Sequence, residues 1–191
     1  MIIDTSLLMC YLRKQESLAN SLLRLKDNNC HVEETEIALK ERKRYASLII
    51  FYNSKALHRQ ALELLRSLLK EEEECNGEDK KPPISSEDII QYLQGLGASW
   101  LELIFEFAEE VIREDPSEGI RIFIEEMGEV ESLPRQEVYE YLAKIDPVVG
   151  VRYLEHVIGV WGDTVPGFHN QLVLDYTDLI LNTIYENQHD E

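Results

Sequence analysis

Apolar residues recur along this chain at intervals of three and four, the spacing that places them on one face of an α-helix. Tyr45, Leu48, Ile49 and Tyr52 form one stripe, and Leu57, Ala61, Leu64, Leu65 and Leu68 the next. Leu101, Ile104, Phe105, Ala108, Val111 and Ile112 form a third. Val138, Tyr141, Leu142 and Ile145 follow, then Leu154, Val157, Ile158 and Trp161, and last Phe168, Leu172, Tyr176, Leu179 and Ile180. No segment alternates with period two between hairpin signals. Leu48-Ile49-Ile50-Phe51 has the composition of a buried strand, but its flanks continue a helical stripe. The fold class predicted is all-α.

Helix boundaries follow from the breakers. Residues 1–76 hold no Gly and no Pro, so turns there must come from Asp, Asn and charged residues, with Asp27-Asn28-Asn29 the clearest. Pro116, Pro134, Pro147 and Pro166 each stand just ahead of an amphipathic run, where a missing N–H costs nothing. Asp115 and Asp146 precede two of them as capping side chains would, and Ser85-Ser86-Glu87-Asp88 opens another run as a capping start. About eleven helices result, near 2–14, 16–26, 33–43, 45–54, 56–74, 86–96, 98–114, 116–127, 134–145, 147–161 and 166–186. Pro116 to Pro147 is 31 residues and Pro134 to Pro166 is 32, the length of one helical hairpin. That is the period of helix-pair repeats, so the expected architecture is an α-solenoid of stacked antiparallel hairpins.

One stretch breaks the pattern. Residues 71–83 carry almost no apolar content and cannot bury a face. They read as a mobile acidic insertion in a single array spanning 1–191, rather than as a separator of two domains. Residues 187–191 read as a frayed tail.

Charge and composition narrow the function. The 191 residues carry a net charge of −18, which argues against nucleic acid, whose phosphates demand basic surface. The charge is split: residues 1–70 carry 12 Lys+Arg and 8 Asp+Glu, whereas residues 71–191 carry 7 and 29. The plain reading is a solvated acidic surface; the sharper one is a surface that repels anionic lipid or selects a basic partner. No apolar run reaches the roughly 18 residues that a transmembrane helix requires. The three cysteines, Cys10, Cys30 and Cys75, are too few and too scattered for a disulfide framework and read as reduced thiols.

Candidate chemistry is sparse. Cys30 and His31 are adjacent, and neighbours on a chain point too far apart to share a metal easily. His156 and His169 lie on successive predicted helices, with no thiol or second His at ligand spacing. His58 and His156 read as structural groups. The pairs Glu33-Glu34, Glu109-Glu110 and Glu125-Glu126 fall on predicted polar faces, not in the buried setting that acid–base catalysis needs. Gly95-Leu96-Gly97 lacks the Lys-Ser/Thr of a phosphate loop. No catalytic, cofactor-binding or metal residue is assigned, and the chain is read as non-enzymatic. Tyr45, Tyr52, Phe105, Phe123, Tyr141, Tyr153 and Trp161 lie largely on apolar stripes and are expected in the core. A membrane-surface role for residues 166–186 is disfavoured by the acidic Asp175, Asp178 and Glu186.

Specific passages add to this reading. Ile3-Asp4-Thr5-Ser6-Leu7-Leu8-Met9-Cys10-Tyr11-Leu12, Tyr45 to Tyr52, Leu57-His58-Arg59-Gln60-Ala61-Leu62-Glu63-Leu64-Leu65 and Glu131-Ser132-Leu133-Pro134-Arg135 stand in order along the chain. The most particular is Arg152-Tyr153-Leu154-Glu155-His156-Val157-Ile158, followed by Phe168-His169-Asn170. Together they resemble the clathrin-like helical segment of the vacuolar protein-sorting subunit thirty-nine, or vacuolar morphogenesis, family. The resemblance runs from residue 2 to about 176 and implies a right-handed superhelix of the clathrin-repeat or tetratricopeptide-like kind. It implies a segment of a HOPS membrane-tethering subunit acting in fusion of late endosomes and autophagosomes with lysosome or vacuole under Rab GTPase control. The implied partners are other HOPS or CORVET subunits, and the implied location is cytoplasmic, peripheral on those membranes. The transforming-growth-factor-β-receptor-associated subunit of CORVET is similar and remains the alternative, as does a peptide-binding helical-repeat adaptor. The family's propeller and cysteine-rich terminal motif have no counterpart here, so the chain is read as a middle piece of a larger subunit. Leu48, Tyr52, Ala61, Leu65, Phe105, Leu154 and Trp161 are expected to hold the stack together.

Overall fold

The computed structural model describes residues 2–74, 85–126 and 128–189. In chain order the helices are α1 (Ile2–Lys14), α2 (Glu16–Leu23), α3 (Val32–Glu41), α4 (Tyr45–Ser54), α5 (His58–Glu74), α6 (Ser86–Gln94), α7 (Leu101–Glu114), α8 (Pro116–Gly119), α9 (Arg121–Ile124), α10 (Gly128–Glu131), α11 (Arg135–Ile145), α12 (Pro147–Gly159) and α13 (Pro166–His189). A 3-10 turn, Ala98–Trp100, leads into α7. The described residues contain no strand, and the protein is all-α. Packing divides the chain into two compact units, Met1–Ile84 and Ser85–Glu191. The division falls at the end of the acidic stretch; its Glu71–Glu74 belong to α5, and residues 75–83 lie outside the described ones. At the other end α13 is helical through His189, so 187–189 continue the helix; 190 and 191 lie outside the description.

In the first unit α1 packs on α2 and α3, α2 on α4, α3 on α4, and α4 on α5. Leu8, Ala19, Leu23, Leu39, Leu48, Phe51 and Ala61 are fully buried between them. The turn at Asp27-Asn28-Asn29 is tied down by side chains. Buried Asn28 donates its amide to the Leu25 carbonyl (2.5 Å) and the Ser54 hydroxyl (3.2 Å), and accepts from the Cys30 N–H (3.3 Å). Asp4 and Thr5 of α1 accept from the N–H groups of Asn29 (2.7 Å) and His31 (3.0 Å). Asn28 also reaches the Leu23 carbonyl (3.4 Å), and this competition for the last carbonyls ends α2 at Leu23 rather than at residue 26.

The glycine-free region still closes its helices with left-handed residues. Lys43 (φ 53°) and Ala56 (φ 55°) follow α3 and α4. Lys43 N–H bonds Lys40 O (3.0 Å) and Arg44 N–H bonds Leu39 O (2.9 Å). Ala56 N–H bonds Asn53 O (3.1 Å) and Leu57 N–H bonds Tyr52 O (2.9 Å). These are paired Schellman bonds, which satisfy terminal carbonyls at the cost of placing a Cβ in a crowded conformation.

In the second unit the expected caps form. Asp88 accepts from the Ser85 N–H (2.7 Å) at the start of α6. Asp115 accepts from Ser117 N–H (2.9 Å) and Glu118 N–H (3.2 Å), with Pro116 opening α8. Asp146 accepts from Val148 N–H (2.8 Å), with Pro147 opening α12. Pro134 stands one residue earlier than a first-turn proline, as the N-cap of α11. α7 packs on α8 and α11, α6 on α7 and α9, α11 on α12, and α12 on α13. Consecutive helices in contact across short turns are the local arrangement of stacked helix pairs.

The single helix expected over 116–127 is instead two short pieces, with α10 following in a stretch read as loop. Two contacts explain the break. Buried Gly119 lies against the backbone of Ile112 in α7, closer than any side chain allows. The carbonyl of Arg121, which a continuing helix would give to residue 125, instead accepts from the buried Gln94 side chain (2.8 Å). Arg121 then bridges three carboxylates, Glu87 (2.8 Å), Glu118 (2.6 Å) and Glu125 (3.3 Å), tying this corner to α6.

Candidate interaction surface

Leu48, Tyr52, Ala61, Leu65 and Leu154 are buried, as expected of residues that hold the stack. Phe105 and Trp161 are not; both are half-buried. Phe105 stacks on Tyr141 with ring centroids 4.0 Å apart and planes at 6°, and buried Phe123 tilts against both. The Tyr141 hydroxyl donates to the Phe105 carbonyl (2.6 Å), joining α7 to α11. Trp161 lies just past the end of α12 and meets Tyr153 and His156 edge-on, at 6.3 and 4.9 Å. Arg135 caps the indole face 5.2 Å from its centroid and pairs with Asp163. A residue beyond the helix end receives neighbours on fewer sides, which is why its apolar periodicity overstated its burial.

The shifted carboxylates owe their values to ion pairs and backbone bonds. The side-chain hydrogen bond from Arg121 holds Glu87 below the usual carboxylate range, and a backbone N–H from Val165 followed by Arg135 does so for Asp163. Both are half-buried anions fixed in ion pairs, the opposite of the raised carboxyl that a general acid needs. Desolvation lowers His58 and His156. His156 is half-buried against Trp161, and His169 is exposed on α13. Cys30 is buried with its thiol pushed up by burial, whereas His31 is exposed, so the adjacent pair splits between core and solvent. No group of three or more His, Cys, Asp or Glu among the described residues is placed to hold a metal ion. No described helix is long and apolar enough to cross a membrane. The acidic pairs at 33–34, 109–110 and 125–126 are exposed or half-buried.

The strongest surface feature is α13. Its first turns are anchored. Phe168 is buried, and Asp175 accepts from Tyr139 Oη of α11 (2.7 Å) and from Gln171 (2.8 Å). Burial, then the Asp175 bond, pushes the Tyr139 hydroxyl up to about 12. Around and beyond these contacts most of the apolar side chains are uncovered. Tyr176 and Ile180, expected in the stack with Phe168 and Leu172, are exposed, together with Val173, Leu174, Leu181, Ile184 and Tyr185. Length accounts for Ile180, Leu181, Ile184 and Tyr185, which lie past the first 13 residues of α13: α13 has 24 residues and α12 only 13, about 36 Å against about 20 Å. The neighbouring helix covers only part of α13. Tyr176, Leu179, Ile180, Thr183 and Ile184 line an open hollow of about 260 Å³. Two other hollows, near 310 and 330 Å³, are lined mostly by polar and charged side chains of α3 to α5 and of the turn after α2.

Comparison with known proteins places this architecture. Residues 3–112 match the family model described as vacuolar sorting protein 39 domain 1. The chain belongs to that family. It is 42% identical over 179 residues to the mouse Vam6/Vps39-like protein, covering 94% of this chain and 19% of the relative. It is 41% identical over 185 residues to the human Vam6/Vps39-like protein, covering 97% and 20%. It is 40% identical over 190 residues to the Drosophila melanogaster vacuolar protein sorting-associated protein 39 homolog, covering 100% and 21%. The chain therefore spans about a fifth of the length of these relatives, and the likeness extends through both compact units. No solved structure matches.

Proposed function

We propose that this chain is a non-enzymatic scaffold and interaction segment of a HOPS-type membrane-tethering subunit, working where endosomes and autophagosomes fuse with the lysosome or vacuole. The observation that carries the reading is the identity of 40% over the whole chain to a vacuolar protein sorting-associated protein 39 homolog. Helix-pair stacks extend surface at low folding cost and can hold several partners at fixed separations. Multivalent contacts then supply grip that a single contact lacks. The protein would sit peripherally on the membranes it helps to join, through the complex it belongs to. The relatives' names favour this assignment over the CORVET counterpart.

The test is co-purification of the 191-residue chain with each tether subunit, and with active Rab GTPase, in separate pairwise experiments. Capture of at least one tether subunit is the expected result. Capture of none, by a chain that circular dichroism shows to be folded, overturns the reading.

A further inference from the structure

The open end of the α11–α12 hairpin is closed by side chains. α11 begins at Arg135 and α12 ends at Gly159, and Arg135 reaches across to stack on Trp161 and pair with Asp163. The backbone holds Trp161 in place. His156 O accepts from the Val160 N–H (2.8 Å) and the Trp161 N–H (3.1 Å), and Val157 O accepts from the Asp163 N–H (3.0 Å), around a left-handed Gly162 (φ 66°). His156 meets the same indole edge-on, with ring centroids 4.9 Å apart. Its Nε2 and the Trp161 Nε1 are buried, and neither hydrogen-bonds any of the described residues. A neutral imidazole tolerates this position. An imidazolium does not, because a buried charged N–H without an acceptor loses its hydration and gains nothing in return. The charged and titratable groups around His156 come from four sides. Glu125, half-buried, and Glu126, exposed, follow α9, and their charges act on His156. Arg135 of α11 and Asp163 after α12 engage each other. On α12, Tyr153 is buried against Trp161, Arg152 bonds Ser117 and Glu155 bonds Tyr176. His169 of α13 bonds Val165 O (3.2 Å) and acts on Asp163. Glu125 and Glu126 are therefore the carboxylates toward which a charged His156 can turn.

We propose that this corner is an acid-sensitive latch: proton uptake turns the His156 ring away from Trp161 toward Glu125 and Glu126, uncovers the indole and loosens the hold of Arg135 on the open end of the hairpin. Burial keeps the imidazole neutral while the two glutamates favour its charged form. Burial is the larger effect, so the latch is shut at and above the ordinary histidine value of 6.5 and opens below it. The inference goes beyond the scaffold reading and does not depend on it, since every residue involved lies within the second unit.

Trp161 itself is the reporter. The chain has two tryptophans, Trp100 and Trp161, and Trp100→Phe leaves one. Emission and acrylamide quenching of that 191-residue variant are followed from about pH 8 to about pH 5, with far-UV circular dichroism alongside. Expected is one transition with a midpoint below 6.5, in which emission moves to the red and quenching rises while the helical signal stays constant. His156→Asn in the same background should abolish the transition, and Glu125→Gln with Glu126→Gln should move it to lower pH. Absence of a transition overturns the proposal, and so does the same transition in His156→Asn. Loss of intensity without a red shift overturns it too, because the imidazolium would then have stayed against the indole. A midpoint unmoved by the glutamate substitutions removes the carboxylates as its destination and overturns it as well. Loss of helical signal over the same range means general unfolding rather than a latch. Fluorotryptophan incorporated into the unsubstituted chain gives a second measurement that needs no variant for its titration. The fluorine resonance of Trp161, assigned with Trp100→Phe or Trp161→Phe, should move with the same midpoint, and a resonance that does not move overturns the latch.

Discussion

Gly150 of α12 offers a sharp test of how α11 and α12 are held. A Cβ at this position would stand 2.9 Å from the Ala143 Cβ and 3.0 Å from its Cα. Carbon atoms pack best at about 3.5–4.0 Å, so Gly150→Ala forces the two helices apart by roughly half an ångström or more. Overpacking of this kind costs about 1–3 kcal/mol. The better helix propensity of Ala offsets about 1 kcal/mol of that. The expected net loss is about 0–2 kcal/mol, read as a urea midpoint that does not rise. Ala143→Gly by itself loses about 1 kcal/mol of propensity. It also removes the nearest of the atoms that the new methyl strikes, leaving the backbone Cα at 3.0 Å and N at 3.2 Å, so the double variant should be more stable than the sum of the singles by about 0.5 kcal/mol. Strict additivity across the cycle would refute the close-approach argument. Gly119 supplies the contrast. Its added Cβ would lie 2.6 Å from Ile112 Cα and 2.9 Å from Ile112 N, which are backbone atoms. Gly119→Ala should therefore cost more than Gly150→Ala, and trimming Ile112 should not rescue it.

Further outcomes follow from the same geometry. Ala56→Gly should stabilise the first unit by about 0.5–1 kcal/mol, because Ala56 is exposed and its left-handed conformation carries a Cβ penalty that partly survives the larger unfolded-state entropy of Gly; an unchanged or lower urea midpoint contradicts the capping argument. Tyr141→Phe removes the bond to the Phe105 carbonyl and should cost about 1 kcal/mol in the same assay. Trp161→Ala should cost about 2 kcal/mol, below the range for a fully enclosed ring, because the indole is half-buried; a thermal melt identical to the parent would reject its packing role. His58 and His156 have lowered pKa values in the folded chain, so the unfolded chain takes up protons first as pH falls. Their stabilising contribution is complete above the ordinary value of 6.5 and is lost as pH drops from there through the folded values. The urea midpoint should thus fall between about pH 7 and pH 5.5, and the double variant His58→Asn, His156→Asn should flatten that slope.

Much of the architecture is local and was legible in the chain. Helical stripes, proline starts and aspartate caps depend on residues within a turn or two of one another, so Asp115-Pro116, Asp146-Pro147 and Ser85 to Asp88 mark their helices correctly. The turn at Asn28 was marked by local residues, but its bonds to Ser54, Asp4 and Thr5 are long-range. The sequence passages that resemble the family run in order through both units, and the family comparison bears that resemblance out. What failed were statements about what lies on the far side of a residue. The stripe through Phe168, Leu172, Tyr176 and Ile180 has one periodicity throughout, yet Phe168 is buried while Tyr176 and Ile180 are exposed, because periodicity does not tell which neighbour covers a face. The close approach at residue 119 depends on the Ile112 backbone, and the end of α9 on Gln94, 27 residues before the carbonyl it takes. Gly119 and Gly150 look like ordinary glycines until α7 and α11 are laid against them. Local rules fix where the backbone turns and which face is apolar; only the tertiary structure decides which apolar face meets a neighbour and which stays exposed.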